Sequence, residues 1–388
     1  SFWAYFVFGS SLIVFGSDKI VNLSKDVYSL DLSSVLKINS INAIGLSIVL
    51  LVVSNINILW PKKIIDKLAN EIKYFDPLGH RSLIVATCFC FISFVYVFLV
   101  YIGYVEKNFM YGIFQIFQHA GIGFVSILFY YKERYRKFLF FVITLYLGLY
   151  VASGFYFFNR SLILAPISFF AVSFCIKSNS FKLLIILLIG SYFSVQILGS
   201  FTTYKRSYTE GFKYSSSINP TESRYEFSLW DRFNYMNVQA AAVDLYNKGD
   251  GGDSLNNIFW LFVPRFLNKD KPDVSSLGTK FSKKFRVHGG SRDSPTVFIE
   301  GYYNYGWIGL ILISFLIGLV VKIYSILIRE IIHNKLYSFY FLIFSGIWTC
   351  FRIDGLFITD YFGQMILFLY FIILLTFVLR FLRNLIGY

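Results

Sequence analysis

The segment TVFIEGYYNYGWIGLILISFLIGLVV, residues 296–321, decides how this chain folds. Its single charged residue is Glu300, close to the beginning. About 20 consecutive apolar residues are enough for an α-helix to cross a bilayer, so the segment predicts a membrane-spanning helix. The residues directly before it, 202–295, form a long polar stretch, which indicates a large loop that ends where this helix enters the membrane.

Apolar stretches of similar character recur on both sides of this segment. Only 15% of the residues are charged and 56% are hydrophobic, whereas soluble domains carry about 25% charged residues. A membrane accommodates this excess of apolar surface and a soluble core does not. Hydropathy predicts about ten spans, at residues 2–16, 41–60, 82–104, 111–130, 138–158, 162–176, 183–201, 296–321, 336–351 and 361–378.

The distribution of Lys and Arg predicts the orientation. If the N-terminus lies in the cytoplasm, the short cytoplasmic segments hold 16 Lys and Arg residues and the short outer segments hold 6. Cytoplasmic loops of membrane proteins collect these cations, so the large loop is predicted to lie outside. The resulting organisation is seven spans in 1–201, the loop in 202–295 and three spans in 296–388.

The large loop is predicted to be partly helical, which makes the fold class all-α. Residues 224–246 have apolar residues at helical spacing, and the glycines Gly249, Gly251 and Gly252 end that pattern. Residues 255–266 form a second, shorter apolar segment. Its aromatic and apolar content distinguishes the loop from a disordered linker.

Charged residues at the outer ends of the spans are the candidates for chemistry. The sequence contains no phosphate-binding glycine loop, no zinc-binding His-Glu-x-x-His and no Gly-x-Ser-x-Gly. Arginine suits phosphate oxygens because its planar fork donates several hydrogen bonds. Each candidate also has a structural interpretation: an interfacial Arg can snorkel, a first-turn Glu can complement the helix dipole, and Arg352 can pair with Asp354.

Two stretches of the sequence resemble a known family. Residues 261–272, LFVPRFLNKDKP, resemble the "Pro-Arg … Lys-Pro" signature of bacterial O-antigen polymerases of the Wzy type. Residues 294–309, SPTVFIEGYYNYGWIG, are similar to the segment with which these polymerases re-enter the membrane after their large loop. The turn Asn159-Arg160-Ser161 and the region of Arg232 also match the usual layout of the family.

The resemblance implies a GT-C-like glycosyltransferase in the bacterial inner membrane, with its active site on the periplasmic face. Such an enzyme transfers a growing glycan from undecaprenyl pyrophosphate to a hydroxyl of the next undecaprenyl-pyrophosphate-linked unit. It needs no metal, cofactor or nucleotide sugar, and it binds no nucleic acid. Its partners are the lipid-linked donor and acceptor, membrane lipid and a chain-length regulator protein.

The resemblance also suggests roles for individual residues. The general base is expected to be Glu300, followed by His288. Pyrophosphate binding is expected from Arg160, Arg265, Arg292, Arg352, Lys271 and Arg232, and sugar stacking from Tyr302, Tyr303 and Trp230. Two other functions share much of this pattern: a flippase that transports the lipid-linked oligosaccharide, and an O-antigen ligase.

Overall fold

The computed structural model describes residues 32–75, 91–100, 102–106, 236–252, 254–263, 295–334, 336 and 357–386, and scattered helical positions between 111 and 152. Every regular element in this part of the chain is helical, as the sequence predicts. The elements are α1 (Leu32–Asn55), α2 (Trp60–Phe75), α3 (Phe91–Val100), α4 (Met236–Asn247), a 3₁₀ helix (Ser254–Phe262), α5 (Val297–His333), a π-helical turn (Phe357–Phe362) and α6 (Gly363–Ile386).

The chain divides into two compact units. The first contains residues 1–78, 233–335 and 346–388, and therefore all of the elements above except α3. The second contains residues 79–232 and 336–345, and its described part consists of α3 and scattered helical positions.

Among the residues that the structure describes, two helices are long and apolar enough to cross a membrane, Ser33–Asn55 and Val297–His333. A helix of 23 residues is about 35 Å long at 1.5 Å per residue, which exceeds the roughly 30 Å hydrocarbon core of a bilayer. The composition and these two helices together indicate association with a membrane.

The second predicted span, residues 41–60, has the wrong bounds. The helix begins nine residues earlier, at Leu32, and ends at Asn55. In its first turns Ser33 and Ser40 are exposed and Ser34, Lys37 and Asn39 are half-buried, so these polar side chains do not prevent the helix from starting there. A new helix, α2, begins at Trp60 with Pro61 in its first turn, a position where the missing N–H of proline costs nothing. Hydropathy did not indicate α2, because charged residues lie between its apolar residues in the sequence and no continuous apolar run results.

The later predictions differ mainly at their ends. The helix predicted at 296–321 continues to His333 and is broken near Tyr305. The span predicted at 361–378 is a π-helical turn at 357–362 followed by a helix to Ile386. Of the helix predicted at 224–246, residues 236–246 are helical and the rest lies outside the described residues; the segment predicted at 255–266 is a 3₁₀ helix over 254–262.

The remaining spans are described only in fragments. The spans predicted at 2–16, 162–176 and 183–201 lie outside the described residues, as does 336–351 apart from Leu336. Residues 91–100 of the span at 82–104 form α3, and the spans at 111–130 and 138–158 contribute isolated helical positions.

The helices α1 and α5 pack closely because glycines lie at their contact points. A Cβ atom on Gly45 would lie 2.6 Å from the ring of Phe298, and one on Gly318 would lie 2.6 Å from Cβ of Val52. The Lys322 ammonium donates to the Val53 carbonyl oxygen at 2.6 Å. This contact satisfies one of the carbonyl groups that the C-terminus of a helix leaves without an intrahelical partner.

The helices α2 and α6 pack against the C-terminal half of α5. The rings of Tyr324 on α5 and Phe368 on α6 meet edge to face, with centroids 5.2 Å apart. The buried face of α2, which includes Ile65, Leu68 and Ala69, packs on α5 and α6.

We expect the Gly318→Ala substitution to destabilise the protein, because the added methyl group would overlap a β-branched side chain with little freedom to move. Overpacking of this kind typically costs about 1–3 kcal/mol. The control is Gly148→Ala, at a helical position where a Cβ would have no atom within 4 Å. There, alanine should be neutral or stabilising by up to about 1 kcal/mol. Thermal denaturation of the two purified variants in detergent measures the difference, and equal melting temperatures would contradict the proposed packing.

Candidate functional site

The helix α5 folds back on itself near its beginning. Tyr305 has φ −139° and ψ 27°, and Gly306 has φ 60° and ψ −139°, so neither is helical. The break separates a short arm, residues 297–304, from a long arm, residues 307–333. Residues eight apart in a straight helix are about 12 Å apart, yet a Cβ on Gly301 would lie 2.7 Å from the carbonyl oxygen of Gly309. We call residues 300–309 the corner.

The loop helix α4 lies against this corner. Its alanines Ala241 and Ala242 are buried, and a Cβ on Gly306 would lie 2.7 Å from Cζ of Tyr246. The helix ends in a tight turn in which Gly249 has φ 79° and Asp250 N–H donates to the Leu245 carbonyl at 2.9 Å. This is the hydrogen bond of a Schellman cap, which favours glycine.

Hydrogen bonds attach the chain after α4 to the short arm. Gly252 N–H donates to the Tyr303 carbonyl at 2.9 Å. The buried Asn304 amide donates from Nδ2 to the Glu300 carbonyl at 2.7 Å and accepts at Oδ1 from Leu255 N–H at 3.2 Å. The bond from Gly252 satisfies the Tyr303 carbonyl, whose helical partner, Trp307 N–H, lies beyond the break.

A side-chain contact adds to this attachment. The Tyr305 hydroxyl donates to Oδ1 of Asn256. Together with the Asn304 amide, it holds the beginning of the 3₁₀ helix Ser254–Phe262 on the corner.

The side chain of Glu300 connects the corner to the segment before α6. Glu300 is only 1% exposed, and its Oε2 atom accepts a hydrogen bond from Phe357 N–H at 2.6 Å. Phe357 is the first residue of the π-helical turn, and N–H groups at the start of a helical segment have no partner within that segment. The carboxylate therefore caps this turn, 57 residues away in sequence.

The short arm begins with an unusual backbone conformation. Thr296 has φ 72°, which β-branched residues rarely adopt. Its hydroxyl accepts a hydrogen bond from the buried Gln239 side chain of α4 at 3.0 Å. A second contact with α4 thus lies at the start of the short arm, which fixes the arm at both ends.

The aromatic residues at the corner differ in exposure. Tyr302 is 3% exposed, and its ring meets the edges of Tyr246 and Trp307 at centroid distances of 5.1 and 5.4 Å. Tyr303 is half-buried beside Gly252, whose Cβ would collide with the Tyr303 ring. Trp307 and Tyr305 are 45% and 43% exposed. Trp307 and Tyr305 therefore offer more accessible aromatic surface than Tyr302 does.

Lys37 is a cation at this site that the motifs did not indicate. Its ammonium lies 5.3 Å from the centroid of the Tyr302 ring and donates to Asn247 Oδ1 at 3.2 Å. An ammonium above an aromatic face is attracted by the ring quadrupole. In the sequence Lys37 contributes only to the count of outer cations, and no local pattern connects it with residues more than 200 positions away.

Three of the predicted site residues lie at the corner: Glu300, Tyr302 and Tyr303. The structure brings them together with α4 and the 3₁₀ helix. The others lie outside the described residues, so their predicted roles stay predictions: Arg160, Trp230, Arg232, Arg265, Lys271, His288, Arg292 and Arg352.

Comparison with known proteins adds no assignment, since no family model, curated protein or solved structure matches this chain.

The contact between Gly306 and Tyr246 can be separated from the cost of positive φ. We expect Gly306→Ala to lower the melting temperature more than Gly249→Ala. Both glycines have positive φ, but a Cβ on Gly249 would have no atom within 4 Å. Both substitutions remove the conformational freedom of glycine, and only Gly306→Ala also requires the Tyr246 ring to move. If the two variants melt at the same temperature, the close approach of α4 to the corner is incorrect.

Proposed function

We propose that this chain is an integral membrane glycosyltransferase that polymerises lipid-linked oligosaccharide repeat units. In this proposal it has about ten spans, a GT-C-like arrangement and a location in the bacterial inner membrane. The growing glycan on undecaprenyl pyrophosphate is the donor, and a hydroxyl of the next lipid-linked unit is the acceptor. The large loop and the active site face the periplasm.

The observation that carries the proposal is the attachment of the loop to the corner. The two stretches that resemble O-antigen polymerases are residues 261–272 and 294–309. The 3₁₀ helix runs into the first stretch, and its residues Leu255 and Asn256 are hydrogen-bonded to Asn304 and Tyr305 in the second. The start of the first motif and the corner within the second motif therefore belong to one folded unit. Residues that serve one reaction have to be held together in this way.

The proposed reaction follows from the chemistry of the donor. The acceptor hydroxyl attacks the anomeric carbon, a new glycosidic bond forms, and the bond to the pyrophosphate oxygen breaks. The leaving group takes the electron pair, so it needs nearby positive charge that does not titrate. In the proposal Arg160, Arg265 and Arg352 supply that charge, with support from Arg292, Arg232 and Lys271, and a base accepts the hydroxyl proton.

A flippase is the second candidate, and the break in α5 is the observation that favours it. Discontinuous helices often form the substrate sites of transporters. Deletion of the gene distinguishes the candidates on a gel of surface polysaccharide. We expect a single-repeat band, which identifies a polymerase. Lipid-linked polymer that is not ligated would identify a ligase, and complete loss of surface glycan would identify a transporter.

The arginines provide a sharper test of the proposed mechanism. We expect Arg160→Ala and Arg265→Ala to abolish polymer, and the Lys variants to remain impaired because an ammonium cannot form the bidentate contact. The matched control is Arg329→Ala, at an exposed position near the opposite end of α5, which should polymerise normally. Normal polymer in both Arg160→Ala and Arg265→Ala, at normal expression, would exclude these residues as the pyrophosphate site.

The surroundings of Glu300 favour an anchoring role over the role of general base. Its carboxylate is buried and its Oε2 atom accepts from Phe357 N–H, so a sugar hydroxyl reaches it only after the packing around it opens. We therefore propose that Glu300 positions the π-helical turn and that His288 accepts the proton. The earlier prediction that Glu300 is the base stays a prediction, which the following substitutions test.

We expect Glu300→Gln to retain its melting temperature and most of its polymerisation, because the amide oxygen can still accept from Phe357 N–H. Glu300→Ala should lose about 1–3 kcal/mol of stability, since it leaves a buried donor unsatisfied. His288→Ala should polymerise about 10²-fold more slowly, as expected for removal of a base. A 10²-fold loss in Glu300→Gln at unchanged melting temperature would instead make Glu300 the base.

A further inference from the structure

The helix α2 has one buried face and one basic face. Ile65, Leu68 and Ala69 are buried against α5 and α6. On the other side Lys62, Lys63 and Lys67 are exposed. None of these three lysines forms an ion pair with a residue that the structure describes.

The acidic residues of α2 do not offset this face. Asp66 lies within 3.4 Å of the Asn334 amide at the end of α5, and Glu71 is buried. The positive charge on the exposed side of the helix is therefore not neutralised by the carboxylates of α2.

Apolar side chains are exposed at the N-terminal end of the same helix. Leu59 is 69% exposed and Trp60 is 41% exposed, directly before the lysines. Trp is enriched where a membrane meets water, since its ring is apolar and its N–H is polar. Exposed Leu has no role in binding the phosphates of a nucleic acid, whereas it inserts readily into the acyl region below lipid headgroups.

The position of α2 in the chain agrees with a headgroup level. It begins five residues after Asn55, the last residue of a helix long and apolar enough to span a membrane. The Lys322–Val53 contact lies at that same end of α1, so further positive charge is found there. An amphipathic helix with lysines on its polar face and Trp and Leu beside them is typical of helices that lie in the interface.

We propose that the exposed face of α2 binds anionic phospholipid headgroups of the leaflet next to it. Lys62, Lys63 and Lys67 contact the phosphate groups, and Leu59 and Trp60 enter the acyl boundary. The lysine stems can cover apolar surface while their ammonium groups remain at the headgroups. This inference does not depend on the polymerase activity. The lysines lie on α2, which contacts the end of α5 that is remote from the corner.

The test uses the full-length protein in nanodiscs of phosphatidylcholine with or without phosphatidylglycerol. Native mass spectrometry counts the phosphatidylglycerol molecules that remain bound, and brominated lipid reports the depth of Trp60 as the difference in quenching between the unmodified protein and Trp60→Phe. Each lysine near an anionic surface contributes about fivefold to affinity, so replacing all three by Gln should weaken retention by about 10²-fold.

Two controls keep the outcome clear. The triple Lys→Arg variant keeps the charge and should retain phosphatidylglycerol. If substitution at these positions instead disturbed the fold, this variant would lose the lipid as well. Lys248→Gln removes an exposed lysine of the loop that pairs with Asp244, and it should have no effect. Unchanged lipid retention in the Lys→Gln triple variant would overturn the proposal. So would equal loss of phosphatidylcholine and phosphatidylglycerol, or lysine-dependent binding of an oligonucleotide with no change in lipid.

Discussion

Breaking a helix releases backbone polar groups that must find partners elsewhere, and this requirement governs the arrangement around α5. In an apolar environment a released N–H or C=O group is costly. Tyr305 and Gly306 leave the helical conformation, and the two arms approach so closely that Gly301 and Gly309 have no room for side chains. The Tyr303 carbonyl of the short arm accepts from Gly252 N–H of the loop. The Asn304 side chain donates to the Glu300 carbonyl and accepts from Leu255 N–H of the loop.

The described part of the loop therefore belongs to the helical core. Ala240 and Ala242 of α4 and buried apolar residues of the short arm belong to one apolar cluster with α1. The Glu300–Phe357 hydrogen bond extends the same unit to the beginning of α6. A ligand that moves the corner has to disturb the contacts of α4, the 3₁₀ helix and the π-helical turn together. Binding at the corner is for this reason coupled to the position of three other segments.

Sequence reasoning found the helices whose apolar runs are continuous and missed the features that depend on distant partners. The helix beginning at Val297 follows from its continuous apolar run, and the helical segment ending near Tyr246 follows from periodicity. The helix α2 was missed because its lysines interrupt the continuous apolar run that hydropathy detects, although its apolar residues recur at helical spacing. The capping role of Glu300 and the position of Lys37 above Tyr302 rest on contacts across 57 and 265 residues, which no local pattern records. The glycines of the corner were visible as a motif, but their spacing does not reveal that the helix folds back.

The distribution of buried polar groups along α5 bears on the choice between chemistry at one face and transport across the membrane. Glu300 and Asn304 are buried at the corner, and Glu330 is buried near the other end. Between Gly306 and Arg329, all of which the structure describes, the hydroxyls of Ser314 and Tyr324 are buried. A transport path for a charged lipid-linked sugar requires polar groups near the middle of the span. In this stretch α5 offers the two hydroxyls and the half-buried ammonium of Lys322, which is already bonded to the Val53 carbonyl oxygen. In α5 the buried Glu300 and Asn304 lie where the loop is attached, a distribution that supports the proposal of chemistry at one face over the proposal of transport.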